Sequence, residues 1–549
     1  MGITRRTALI TAALGTGLGA AGVYAALPSE AASGPGDVVG KITVGYQGWF
    51  ACTGDGAPIN GWWHWSANWS QPPSPSNNGT LRAWPDMREY THGYQTGYAN
   101  LGNGQPATLF SSYDQQTVDT HFLWMQQNAI STAALQRFNP NGGEGPTRDA
   151  MAAKVRSSAE AFGRKFYLMY DVTNWTNMQS EIKTDWTSKM SAHTASTAYA
   201  RQNGKPVVCV WGFGFNDDAR PFTPSACLDV VNWFKSQGCY VIGGVPTYWR
   251  QGINDSRPGF SDVYHAFNMI SPWMVGRIGN IADVDNFATN VQAPDLADLS
   301  AHGIDYQPCV LPGDVTARQR AHGDFMWRQF YTMCRLGVQG IYISMYDEFN
   351  EGNQILKTAE SQAFIPTNAG LLGLDEDGTF CSSDYYLRLT GDGGRMLAGQ
   401  IALTPTRPTQ PVVGGGGDVT PPSIPGNLHA TGHTDTTVAL AWNASTDNVG
   451  VTGYVVYTVN GSTLTQVGTT TSTAFTAAGL SAGTAYTFAV KARDAAGNLS
   501  GTSATVTVTT DQPAGGANLA QGKATSASST NGGYPSGNAT DGDQNSYWE

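Results

Sequence analysis

Charge is scarce in this chain. Only 13% of its 549 residues are Asp, Glu, Lys or Arg, and the balance is acidic, at −11. No basic run follows the first six residues, so nucleic acid and anionic membranes are not expected partners. The surface must lean on Ser, Thr, Asn, Gln and Gly instead. Cysteine is sparse too. Cys52, Cys209, Cys227, Cys239, Cys309, Cys334 and Cys381 all lie in the first two-thirds or so, and none has Cys-x-x-Cys spacing. A zinc or redox site therefore has little support. Export would permit one or two disulfides, and the odd count leaves at least one thiol as a small buried hydrophobe. No glycine-rich phosphate loop follows the first strand-like run, which weakens an open doubly wound sheet as the fold.

What is present begins with an address. Thr4-Arg5-Arg6-Thr7-Ala8-Leu9 precedes a Gly/Ala-rich apolar stretch ending in small residues around Ala25 to Ala32. A charged, then apolar, then small-residue order makes residues 1–32 a secretory leader, and the paired arginines suggest the twin-arginine route. The expectation is a secreted, extracellular protein without a stable membrane anchor, and a monomer.

The length calls for three or four units. Between residues 38 and 403, apolar runs alternate with helix-period segments. The runs predict strands at Ile42–Gln47, Ser131–Arg137, Phe166–Asp171, Val207–Phe213, Tyr240–Val245, Val263–Ile270, Tyr306–Leu311 and Gly340–Met345. Helices are predicted at Arg148–Phe162, Glu181–Gln202, Ser225–Gln237, Val284–His302 and Arg318–Leu336. Eight strands with intervening helices fit an α/β (β/α)₈ TIM-like barrel. Trp49 to His121, rich in Gly, Pro, Asn and Trp, would be an oversized first βα loop. Residues 404–418 form a Pro/Gly linker, expected to tether rather than dock. Residues 419–511 alternate apolar and Thr/Ser residues at period two, with frequent turn signals, which is a β-sandwich pattern.

Several predicted strands end in aromatic or polar residues, where barrels place their working groups. Tyr46 and Trp49 follow the first strand, then Trp62-Trp63-His64-Trp65. Asp171, Trp211, Tyr248 and Trp273 follow later ones. With 16 tryptophans in the chain, some serve the core, but rings converging on one rim would cover the apolar faces of sugars. The eighth strand runs into Tyr346-Asp347-Glu348-Phe349-Asn350-Glu351-Gly352. A helical turn there would put the Cβ atoms of Glu348 and Glu351 about 5–6 Å apart on one face. Two carboxyls roughly 5–5.5 Å apart suit glycoside hydrolysis with retention. The same residues also suit a solvated acidic turn or a calcium site.

Asp347-Glu348-Phe-Asn-Glu351-Gly352-x-Gln354 resembles the Asn-Glu-Trp-His-Glu-Gly-x-Gln signature of glycoside hydrolase family 99, retaining endo-α-mannosidases on a (β/α)₈ barrel. His64-Trp65, Ala134-Leu-Gln136-Arg137-Phe138, Ile270-Ser271-Pro272-Trp273 and Pro308-Cys-Val-Leu-Pro312-Gly313 are similar to segments of the broader family 71/99-like group. The resemblance implies Glu351 as general acid/base and Glu348 as the base that deprotonates the sugar's own 2-hydroxyl, giving a 1,2-anhydro intermediate. It implies Asp347, Gln354, His64 and Trp65 near the substrate and no cofactor. Tyr346-Asp347 stands where the signature has Trp-Asn, and Phe349-Asn350 where it has Trp-His, which puts the mannosidase specificity in doubt. An α-1,3-glucanase of the family 71 type and a non-catalytic carbohydrate-binding adhesin are the alternatives.

Trp442, Tyr454 and Leu480-x-x-x-Thr-x-Tyr486 resemble a fibronectin type III domain, which implies a spacer. Residues 516–549 resemble the start of a discoidin-type β jelly roll, truncated here, a module that often binds carbohydrate in secreted enzymes. Asp541 and Asp543 match that family's structural calcium loop.

Overall fold

A computed structural model describes residues 33–412, 420–447, 451–461, 463–494, 498–512, 521–529, 534–540 and 542. The leader, Gly414–Gly417 of the linker, Asp541, Asp543 and half of the discoidin-like segment lie outside the described residues. Among the described residues, no helix is long and apolar enough to cross a membrane. The chain divides into two compact units. One takes in residues up to Ala99, Pro106–Leu356 and Tyr386–Arg407; the other takes in Asn100–Gln105, Lys357–Tyr385 and the chain from Pro408 on.

The first unit is built on eight parallel strands: β1 (Ile42–Tyr46), β2 (Thr132–Arg137), β3 (Lys165–Asp171), β4 (Lys205–Trp211), β5 (Tyr240–Val245), β6 (Met269–Pro272), β7 and β8 (Ile341–Ile343). β1 lies between β8 and β2, and each later strand pairs with the next. Closure depends on β7, which comes in two halves. Asp305–Tyr306 pairs with β6, and Cys309–Val310 pairs with β8. Pro308 between them has no N–H to give, but its carbonyl accepts from Tyr342 N–H at 3.0 Å. The ring is thereby continuous. Both faces of a closed parallel sheet are covered, so β1, β2, β5, β6 and β8 are buried at every position. Inside, Tyr167, Met169, Trp211, Trp273 and Tyr342 surround a space of only about 10 Å³, so the interior is packed rather than a pore.

The outer helices are α1 (Gln115–Gln127), α2 (Gly145–Phe162), α3 (Met178–Asp185), α4 (Pro224–Ser236), α5 (Ser261–Tyr264), α6 (Ile281–Phe287), α7 (Ala293–Ala301), α8 (Asp324–Leu336) and α9 (Tyr385–Leu397). Thr223 caps α4 by accepting from Ala226 N–H at 3.3 Å, with Pro224 in the first turn. α9 carries glycines that a free helix would disfavour. A Cβ at Gly393 would stand 2.7 Å from Phe330, and one at Gly394 would stand 3.0 Å from Ile42, so close packing of α9 explains them.

Five expectations change. The first loop ends at Asp114 and holds one short antiparallel pair, Tyr94–Gln95 with Thr108–Leu109, and the last residues expected in it belong to α1. Val263 lies in the short helix α5, because His265 N–H and Tyr264 N–H close helical bonds to Ser261 and Phe260; the strand starts at Met269. The long helix expected at Glu181–Gln202 stops at Asp185 and continues as a wider and then a tighter turn to Ala195. The hydroxyls of Thr184, Thr187 and Ser188 donate back to the carbonyls of Ser180, Lys183 and Thr184, which bends helices. All seven cysteines carry free thiols, and six are buried, so the permitted disulfides do not form. The linker's first residues also dock: Thr404 O accepts from Trp327 Nε1 at 3.1 Å and Arg407 Nε donates to Asp324 at 2.5 Å.

In the second unit, two antiparallel sheets form a sandwich. One holds β9 (Gly426–His433), β10 (Thr437–Asn443) and β13 (Ala474–Ala478). The other holds β11 (Val451–Asn460), β12 (Thr463–Thr470), β14 (Ala485–Asp494) and β15 (Val506–Thr509). Val438, Leu440, Trp442, Tyr454, Val456, Phe488 and Val490 make its core. Trp442 and Tyr454 meet edge to face at 5.3 Å. Ser481 N–H donates to Tyr486 Oη at 2.8 Å, the corner bond expected of Tyr486.

Candidate active site

β8 delivers the acidic residues to the end of the barrel where parallel strands emerge. Beyond it, Glu348-Phe349-Asn350-Glu351 is a turn rather than a helix, closed by Glu351 N–H donating to Glu348 O at 3.3 Å. A turn still brings residues i and i+3 together, so both glutamates belong to one local site. Gly352 follows with φ of +75°, and a Cβ there would lie 2.7 Å from Asp314 Oδ1 and 3.3 Å from Arg82 Cβ. Only glycine fits without displacement.

Two loops lock this turn, the one after β1 and the one after β7. Gln47 N–H and Gly48 N–H donate to the two oxygens of Asp347, each at 2.8 Å. Arg82 N–H donates to Phe349 O at 3.0 Å. Buried Arg320 donates to the carbonyls of Gly313, Gly352 and Gln354 at 2.9, 2.9 and 2.8 Å. Arg148 in turn secures the β1 loop, donating to Gly48 O at 2.8 Å, to Gln47 O at 2.6 Å and to Gln136 O.

Glu348 is only 5% exposed. Burial, then the neighbouring Glu351 and Asp347, push its carboxyl well above the usual glutamate range, and the bond from Gln47 Nε2 to Oε1 (3.0 Å) opposes them. Glu351 is exposed on the turn. Its carboxyl is also raised, by partial burial and by Asp314, while Arg82, paired with Asp314 at 2.9 Å, opposes the rise. Two adjacent raised carboxyls each favour the protonated form more than a free glutamate does, so one can keep a proton while the other gives its up. Asp347 is fully buried and raised to about 6, by burial against its two backbone bonds.

The other sequence-derived residues divide into two groups. Tyr46, Trp65, Asp347 and Gln354 are buried and serve the scaffold. Tyr46 Oη bonds His121 Nδ1 at 2.9 Å, and Trp65 Nε1 donates to Phe110 O at 3.0 Å while stacking on Phe50. Asp347 has both oxygens on backbone amides, so its place is bracing the glutamate turn rather than reaching a substrate. Trp49, Asp171, Trp211, Tyr248 and Trp273 are half-buried at or just past strand ends, and His64 is half-buried in the loop after β1. Trp49 is stacked between His64 (3.8 Å) and Phe138 (5.7 Å). Burial and Arg148 lower the His64 imidazole to about 3, so it is neutral, and its Nε2 meets no protein partner. Trp211 and Trp273 meet edge to face at 5.5 Å. Tyr248 N–H donates to Asp255 at 3.2 Å. Asp171 accepts from Thr173 and lines an open cleft of about 660 Å³ over the loops after β1, β2 and β3. That cleft adjoins the β1 loop but does not include the glutamates.

Sequence reading missed Gln47, Arg82, Arg148, Arg320 and Glu144. Gln47 follows β1 directly, and its position at a strand end was the available signal. The arginines gave none, since a buried arginine on carbonyls looks like any other in a sequence. Away from the glutamates, His265, Asp298 and His302 bring three ligand atoms within 4.8 Å of one another on the helical shell and could hold a metal.

Residues 421–509 match the fibronectin type III domain family. Chitinase A1 of Niallia circulans is 51% identical over 80 residues, 14% of this chain and 11% of that protein. Exoglucanase A of Cellulomonas fimi is 43% identical over 96 residues, 16% of this chain and 11% of that one. The chain thus spans about a tenth of the length of these curated relatives. Among solved structures, the GH99 endo-alpha-mannosidase from Bacteroides thetaiotaomicron is similar over 66% of this chain and 100% of its own, at a TM-score of 0.48 and 14% identity.

Proposed function

We propose that this chain is a glycoside hydrolase that cleaves an α-linked glycan with retention, using Glu348 and Glu351. One observation carries the reading: two carboxyls, both raised, share a turn locked by two loops at the strand-exit end of a closed parallel barrel. In the proposed reaction Glu351 gives its proton to the glycosidic oxygen as the bond from C1 breaks. Glu348 takes the proton of the 2-hydroxyl, whose oxygen attacks C1 and closes a 1,2-anhydro ring. Glu351, now a carboxylate, then takes a proton from water. The water oxygen attacks C1, and the 2-oxygen recovers its proton from Glu348. A base with a raised pKa is a stronger base near neutral pH, which suits Glu348. The deeper burial of Glu348 favours a second reading in which the two roles are exchanged. α-Mannan is the first candidate substrate and α-1,3-glucan the second. Export by the leader and a spacer role for the fibronectin unit belong to the same proposal.

The test compares Glu351→Gln and Glu348→Gln on a natural glycan and an activated aryl glycoside. An aryl group departs with little protonation, so the acid's variant should be spared on it, while loss of the base hurts both substrates. Sparing of Glu348→Gln alone selects the exchanged roles. Wild-type activity in both variants refutes the site, and turnover of a 2-deoxy substrate refutes the anhydro-sugar route.

A further inference from the structure

The strand-exit rim carries a cleft that the glutamates do not use. It spans about 660 Å³, within the range of small-ligand sites. Trp63, Trp69 and Phe138 supply its rings, and Glu144, Asp171 and Asn174 supply polar groups.

Its rings are held in place. Trp69 is 47% exposed, yet it meets Trp63 edge to face at 5.8 Å. A Cβ at Gly61 would lie 2.5 Å from the Trp69 ring, so the glycine makes room for it. Phe138 is stacked on Trp49. An exposed but positioned indole offers a flat apolar face to a ligand that has one.

Two of its polar atoms are unsatisfied by the protein. Trp63 Nε1 and Glu144 Oε2 are both buried atoms without a protein partner. One donates and the other accepts, and a ligand hydroxyl does both.

Its charge is selective. Two carboxylates line the cleft and no lysine or arginine does. Arg220 reaches Thr173 Oγ1 at 2.7 Å from outside the lining and pairs with Asp217 at 2.6 Å. Burial raises the Asp171 carboxyl against the bonds from Thr173 and the charge of Arg220, with Glu144 adding to the rise. An anionic ligand would meet repulsion.

We infer that this cleft is a subsite for a neutral pyranose chain, so that the substrate is an extended glycan rather than a single terminal sugar. Its role in turnover rests on the hydrolase reading above; its ability to bind sugar does not. The β1 loop joins the two places, with Gln47 on Glu348 and Trp49 on Phe138.

The test uses the full chain with Trp69→Ala and the conservative Trp69→Phe. Binding of α-mannan and α-1,3-glucan oligosaccharides of two and six units, and of oligogalacturonate, is measured by calorimetry in the Glu348→Gln background. The expected result is about tenfold weaker binding of the neutral hexasaccharide in Trp69→Ala, with a smaller loss for the disaccharide. Trp69→Phe should recover most of it, and oligogalacturonate should bind worst. In the active enzyme, Trp69→Ala should raise KM for polysaccharide more than for an aryl glycoside, with kcat little affected. Equal hexasaccharide binding by wild type and Trp69→Ala, absence of binding to every neutral oligosaccharide, or preference for the uronate overturns the subsite. Trp69-dependent binding without hydrolysis of any substrate leaves the subsite standing and sinks the hydrolase reading. Hydrolysis of long glycans unaffected by Trp69→Ala does the reverse.

Discussion

Replacing Gln47 with leucine tests both the site and the division of labour within it. Gln47 Nε2 donates to Glu348 Oε1 at 3.0 Å, with both side chains buried. This bond favours the ionised carboxylate. A hydrogen bond to a charged group contributes about 1.5–3 kcal/mol, and one pKa unit corresponds to about 1.4 kcal/mol. Gln47→Leu should therefore raise the Glu348 pKa further, by about 1–2 units. If Glu348 is the base, it must be ionised, so the acidic limb of kcat/KM against pH moves up by that amount. Activity then falls most at low pH and recovers as pH rises. If Glu348 is instead the acid, the basic limb moves up and activity at high pH improves. The assay is a pH–rate profile of both proteins on one substrate, with thermal unfolding as a check that Gln47→Leu folds. Two limbs unmoved within about 0.3 unit would refute the claim that Gln47 sets the charge state of Glu348.

Glu348→Gln should stabilise the fold while removing activity. The folded-state pKa of Glu348 is raised above its ordinary value of 4.5, so the folded protein keeps a proton that the unfolded chain releases, and stability falls as pH rises through that window. The gain in thermal midpoint should be near zero at pH 4 and clear at pH 8; a gain independent of pH refutes the argument. Gly352→Ala faces φ of +75° and a Cβ contact of 2.7 Å with Asp314. It should cost about 1–2 kcal/mol of stability for the backbone alone and, by displacing Glu351, at least about tenfold in kcat; kcat within twofold of wild type would mean that Glu351 tolerates displacement.

How much of this was legible before folding depends on how local each signal is. Strand and helix periodicities are properties of neighbouring residues, and they located seven of the eight barrel strands to within a residue or two at most ends, with Val263 the main misplacement. The fibronectin sandwich was legible for the same reason, with Trp442, Tyr454 and Tyr486 marking fixed places in a repeating pattern. The closeness of Glu348 and Glu351 was legible because they stand three positions apart, and a turn joins them as well as a helix would. Contacts across the barrel were not legible. Whether Asp347 reaches a sugar or braces the turn is decided by the amides of Gln47 and Gly48, some 300 positions away in the chain. Tyr46 and Trp65 were expected at the rim and are buried, because alternation does not say what will cover a residue. The cleft of Trp63, Phe138 and Asp171 needs three loops at once. Closure of the ring likewise rests on the two halves of β7 choosing different partners. Sequence determined which segments bury themselves and where groups able to do chemistry stand along the chain. Only the tertiary structure decided which of those residues face open space, because exposure is set by what the rest of the chain brings alongside.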